Sequence, residues 1–232
     1  MKEFVKLGKK QILISIFLAI SIILAAGGWG TAIYINMTRP PRMVPGAMES
    51  LRNNALMANS DSGVLRAIER RNSAARGTFT GNEIDDDALQ VLGWAATGKN
   101  RDGTGFVIPL AMGAEPYVSL YLAQKNGVRR FSWEINGFVN VIDDDIRDKI
   151  NSGQNASAIW IYVADIDNVP KSNMEWAWHA VGAMSEHQYL VADEFDIQAR
   201  FMASVDSEKT AALLGLDVSK HIPVGVMAMA RK

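Results

Sequence analysis

Catalysis by side chains needs groups that move protons, attack carbon or hold metals, and this chain has few of them. It contains three histidines, His179, His187 and His221, and no cysteine. The missing cysteines exclude disulfides, thiolate metal sites, iron–sulfur clusters and a cysteine nucleophile. His179 and His187 fall on one predicted helix, about 12 Å apart along its axis, too far to share a metal ion. Glu175 and His179 stand at i, i+4 and could share a proton or an ion, but a plain helix-surface pair is the favoured reading. Asp85-Asp86-Asp87 reads as acids at the positive end of a helix in preference to a metal-binding triplet. No Gly-x-Ser-x-Gly elbow, no phosphate-binding P-loop and no dinucleotide fingerprint is present, and Gly103-Thr-Gly105 is only a loop. Asn155-Ala-Ser157 fits a glycosylation sequon, a triplet common by chance. With 24 Lys and Arg against 25 Asp and Glu, the net charge of −1 argues against a protein that grips nucleic acid.

Those residues must be held by a folded scaffold. At 48% hydrophobic and 21% charged, the 232 residues are not those of a disordered chain. Val64, Leu65, Ile68 and Arg71 predict an amphipathic helix opening near Asp61-Ser62-Gly63, and Ala88, Leu89, Leu92 and Trp94 a second one behind the acids. Val118–Ala123 and Gly127–Trp133 flank Asn126-Gly127, a hairpin signal. Gly137–Val141 is a short third run, and Asp143–Ile150 reads as a short acid-capped helix. Ala158–Ala164 is a continuous apolar strand of the kind buried on both faces. A long helix from Glu175 to about Asp193 and a last strand over Ile222–Met229 complete an α+β class.

The first residues are different in kind. Gln11 to Thr38 carry no charge, and Ile12 to Ile35 would run about 36 Å as a helix, enough to span a hydrocarbon core. Lys2, Lys6, Lys9 and Lys10 precede this run, which places the N-terminus in the cytoplasm and the rest beyond the membrane. A cleaved signal peptide competes, with small residues at Ala25, Ala26 and Gly27, but the apolar run continues past them. In either case residues 37–232 are expected to be exported. The organisation read from the sequence is a basic leader at 1–10, a single-pass membrane anchor or signal at 11–36, a linker at 37–62 and a folded domain at 63–232. The chain after residue 36 has an excess of four acids, a mildly acidic domain.

Several segments occur in an order that resembles the nitroreductase-like flavoprotein superfamily. They are Trp94-Ala-Ala-Thr-Gly98, Asn100-Arg101-Asp102-Gly103, Gly127-Val-Arg-Arg-Phe131, Val181–Leu190, and the tail through Ser204-Val-Asp206 to Ile222-Pro-Val-Gly225. The likeness is strongest to the SagB-like, thiazole-oxidase branch and covers about residues 63–232. It implies a mostly antiparallel sheet flanked by helices, a homodimer with FMN at its interface, reduction of the flavin by a nicotinamide cofactor, and a small-molecule acceptor such as a nitroaromatic or quinone. The protein would supply position and electrostatics while the flavin carries the chemistry.

Residue by residue, the resemblance implies that Arg70, Arg71, Ser73 and Arg76 grip the FMN phosphate, a task suited to guanidinium forks. The family's flavin loop falls on Pro109, Leu110 and Ala111, where Leu110 replaces a serine and Gly113 an asparagine. The loop's backbone N–H groups are expected to stand in for the lost side-chain donors. The family's late arginine falls at Met202 with Arg200 two places earlier, and two family glycines are replaced by Glu194 and Asp196, which would repel phosphate. No catalytic residue and no metal ligand is implied. Two other readings stand beside the enzyme. One is a flavin-free domain of this fold serving as a binding or accessory subunit of a membrane complex. The other is an unrelated anchored α+β sensor or scaffold.

Overall fold

The computed structural model describes residues 63–150 and 155–232. The expectations for residues 1–62, including the membrane segment at 11–36, lie outside the described residues. Among the described residues no helix is long and apolar enough to cross a membrane.

The chain order is α1 (Gly63–Arg70), α2 (Asp86–Thr97), a small β1–β2 ladder (Lys99–Asn100, Gly105–Phe106), and then β3 (Val118–Gln124), β4 (Gly127–Ser132) and β5 (Gly137–Ile142). It continues with β6 (Ala158–Asp165), α3 (Met174–Glu194), β7 (Ile197–Met202), α4 (Ser207–Leu213) and β8 (His221–Arg231). The large sheet has the order β5-β4-β3-β6-β8-β7, and each of its neighbouring pairs is antiparallel.

The alternation of strand side chains builds two cores from one strand. In β6, Ala158, Trp160, Tyr162 and Ala164 face the layer made by α2 and α3. Ile159, Ile161 and Val163 face the other side, covered by Phe79, Ile146, Ile150 and Leu214. Burial on both faces is why this strand reads as one apolar run. In β8, Pro223 pairs with Val163 beside the register shift between Tyr162 and Val163, the kind of irregularity to which proline is confined within sheets.

Local chemistry sets the helices. The Asp85 carboxylate accepts from Ala88 N at 2.8 Å and caps α2, with Asp86 and Asp87 in its first turn. Gly93 lets α2 lie close to β4, since a Cβ there would sit 2.4 Å from the Phe131 ring. The 21 residues of α3 start at an Asn173 cap and bury Ala177, Ala180, Val181, Met184, Gln188, Tyr189 and Ala192. His187 Nδ1 lies 3.0 Å from Ala95 O and ties α3 to α2. His179 stacks edge-on against Trp176, and Glu175 accepts from Asn173. The i, i+4 pair is thus part of the helix surface, and no cluster of metal-ligating side chains occurs among the described residues.

Asp143–Ile150 is not an α-helix. Only a 3-10 turn forms, at Arg147–Lys149. The Arg147 guanidinium is drawn instead to the Asp145 carboxylate and to the carbonyls of Ala156 and Ser157, each 3.1 Å away. Strand β7 and helix α4 are additions to the sequence reading.

Candidate functional site

The end of α1, the segment that follows it, the C-terminal half of α3 and strand β7 meet around a cavity of about 230 Å³. Arg71, Ser73, Thr78, Tyr189, Asp193 and Lys232 are among its lining residues. The segment is pinned to β7 from two directions. Ala74 N donates to Ala199 O at 2.9 Å, and Arg200 donates to Ala74 O at 2.9 Å.

Tyr189 organises the rim. Its hydroxyl accepts from Phe201 N at 2.7 Å, which leaves its proton for Ser73 Oγ, 2.9 Å away. Arg71 lies over the same ring, 5.1 Å from its centroid, with its Nε 3.4 Å from Glu186. Arg70 reaches to 2.9 Å from Asp193 Oδ2. Lys232 Nζ lies 4.0 Å from Asp193 Oδ1 and 3.9 Å from Asp196. Asp193 is only 13% exposed at its side chain, and its Oδ2 makes no aligned hydrogen bond.

The structure therefore brings Arg70, Arg71, Ser73 and Arg200 together, although only Arg71 and Ser73 line the cavity, while Arg70 pairs with Asp193 and Arg200 braces the backbone. Arg76 is exposed and does not line the cavity. Of the acids expected to matter, Asp196 meets Lys232, while Glu194 is exposed. Asp193, in the last turn of α3 just before the first of the family's glycine positions, is the carboxylate that lines the cavity. Tyr189, Asp193 and Lys232 are absent from the sequence-derived site.

Pro109 and Leu110 border a different cavity of about 490 Å³, with Asn100, Arg101 and Thr104 among its walls, and Ala111 does not line it. It shares no lining residue with the first. Leu110 and Ala111 are half-buried against the α2–α3 core. Ala111 N, one of the backbone donors expected to face a ligand, points to the Tyr117 hydroxyl at 3.4 Å. That hydroxyl in turn donates to Trp176 O at 3.3 Å. Met112 adopts φ +56° and is 70% exposed at the loop's tip.

No family model matches the chain, and no curated protein matches its sequence. Solved structures do match its fold. A protein assigned as a nitroreductase from Ralstonia eutropha superposes with a TM-score of 0.66 at 22% identity, over 75% of this chain and 84% of that one. The Escherichia coli microcin synthetase McbBCD complex, solved with truncated pro-MccB17 bound, gives 0.61 at 14% identity over 86% of each chain. A protein assigned as a nitroreductase from Desulfovibrio desulfuricans, solved in complex with FMN, gives 0.54 at 18% identity over 74% and 87%. The fold is nitroreductase-like.

The cavity's residues fit a flavin's phosphate end in kind. Arg71 and Lys232 are cationic, and Ser73 and Thr78 offer hydroxyl donors. The fit in net charge is poorer, because Arg70, Arg71 and Lys232 each already face a carboxylate.

Proposed function

We propose that the domain is a flavin-dependent oxidoreductase that holds the tail end of its flavin, remote from the ring, at Arg71 and Ser73. The observation that carries this reading is the cationic, hydroxyl-lined cavity between α1 and β7 on a nitroreductase-like fold. Arg71 and Ser73 bind there, and Tyr189 orients both: its ring supports the guanidinium and its hydroxyl fixes the serine. Arg200 and Ala199 hold the backbone at Ala74, the residue after Ser73. The flavin supplies two-electron transfer to a small acceptor when bound. Trp94, Trp178, Val91 and Met112 expose apolar surface, which supports the expected homodimer.

A flavin-free accessory subunit is the second reading. The ion pairs within the cavity and the packing of Leu110 into the core favour it. A match to a component of a multi-subunit synthetase accords with a role in a complex. An absorption spectrum of the detergent-purified full chain, with acid-released cofactor identified by mass spectrometry, separates the two. Bands near about 370 and 450 nm with roughly one flavin per chain are expected for the enzyme. A colourless protein that takes up no added flavin would sink it and leave the subunit.

The uncharged run from Gln11 to Thr38 supports a membrane tether with the domain outside the cytoplasm. Protease treatment of intact spheroplasts should digest the domain. Protection until lysis would overturn that placement.

A further inference from the structure

The flavin reading leaves Asp193 without a role. A part-buried carboxylate where a phosphate is expected to go is a departure in charge, and its surroundings hold it in place. Arg70 approaches from α1 and Lys232 from the residue after β8. Both would lose an ionic partner if Asp193 swung out. Arg71 is similarly committed to Glu186, and Lys232 also faces Asp196.

Resting on the proposed flavin site, we infer that Asp193 is its specificity residue, setting the cavity to prefer a flavin that ends in a neutral alcohol over one that ends in a phosphate dianion. The chemistry of the two ends differs in one decisive respect. A phosphate at neutral pH carries close to two negative charges and only accepts hydrogen bonds. It would meet Asp193 as a repelling charge with no proton to offer. An alcohol both donates and accepts, so it can donate to the Asp193 carboxylate and accept from its neighbours. The rest of the lining suits that end: Asn72, Ser73, Thr78 and Gln198 are uncharged amides and hydroxyls with both donors and acceptors. The volume of about 230 Å³ is below the roughly 300–1,000 Å³ usual for a whole small-molecule site.

The test is the ratio of dissociation constants for riboflavin and FMN, read by flavin fluorescence on the full-length protein. Wild type should bind riboflavin at least as tightly as FMN. Asp193→Asn, which keeps the shape and removes the charge, should shift the ratio toward FMN by about tenfold, the scale of one charge pair in a partly wet site. Glu186→Gln, at a side chain 50% exposed, frees Arg71 at little risk to folding and should shift it the same way by about threefold. A purely structural role for Asp193 would weaken both flavins together and leave the ratio unmoved. An unchanged ratio in folded Asp193→Asn, or a wild type that binds FMN more tightly than riboflavin, overturns the inference while the flavin site stands. If Asp193→Asn does not fold, an unchanged ratio in Glu186→Gln overturns it. Failure of wild type and both variants to bind either flavin overturns the inference together with the reading beneath it.

Discussion

Gln188 and Tyr189 are consecutive residues of α3, and each ties a polar knot, but the two knots have opposite surroundings. Gln188 is fully buried. Its carbonyl accepts from the Tyr162 hydroxyl and its amide donates to Leu92 O at 3.3 Å, joining β6, α3 and α2 inside the core. Tyr189 turns toward the rim, where it joins Ser73, Phe201 N and the Arg71 guanidinium at the edge of the cavity. One knot is closed on all sides and can only specify the packing. The other has the same economy of bonds but one side open to a ligand. A buried polar group identifies a site when its network ends in a cavity, and architecture when it does not.

The sharpest way to test that contrast is to cut the closed knot. Gln188→Leu leaves Leu92 O without its side-chain donor and the Tyr162 hydroxyl with only the Met227 sulfur, 3.9 Å away. Stranding such groups costs about 2–3 kcal/mol, or roughly 5–10 °C in melting temperature for a domain of this size. Flavin affinity of the folded fraction should stay at wild type. Adding Tyr162→Phe should restore part of the loss, because both polar partners are then gone. A Gln188→Leu protein that melts like wild type would remove the distinction between the knots.

The open knot should respond in binding before it responds in stability. Arg71→Ala is expected to weaken FMN by about tenfold or more while shifting stability by no more than about 0.5 kcal/mol, since its pairing with Glu186 is solvent-exposed. Tyr189→Phe should cost about 1 kcal/mol of stability and a few-fold in flavin affinity, because Ser73 and Phe201 N both lose their partner. Titration calorimetry beside thermal melts reads both quantities. Arg71→Ala with unchanged flavin affinity would move the site away from this rim.

How much of this was legible follows the range of the interactions. The strands β3, β6 and β8 are apolar in sequence because their residues are buried, and α2 announces itself through Asp85 and the acids behind it. Strand β7, IQARFM, was missed because only Ile197 and Ala199 are buried along its six residues, so its alternation is faint. Asp143–Ile150 has the acids of a helix start, but Arg147 finds better partners across the chain. The arginines and Ser73 of the site were visible through resemblance. Tyr189 and Asp193 were not, since Ser73 and Tyr189 are 116 residues apart and no local pattern links them. The loop at Pro109–Ala111 was misread in one respect: Ala111 N serves Tyr117, a bond within the scaffold.

The smallest expected effect separates the knots by pH. Burial pushes the Tyr162 hydroxyl well above the ordinary tyrosine value of 10.0, with a further push from Tyr189. Burial also raises Tyr121, opposed by Arg130 and aided by Asp165. A tyrosine is neutral when protonated, so a raised value means that the folded state holds the proton more tightly than the unfolded chain. The stability this confers is fully present below pH 10 and is lost as pH rises from there through the folded-state value. Denaturant melts between pH 9 and about 11.5 should therefore show falling stability, and Tyr162→Phe should flatten that fall even though it lowers stability at neutral pH. Arg71→Ala, acting at the open rim, should leave the alkaline slope as it is. If both variants keep the wild-type slope, Tyr162 does not hold its proton through the fold, and the closed knot is less sealed than its burial indicates.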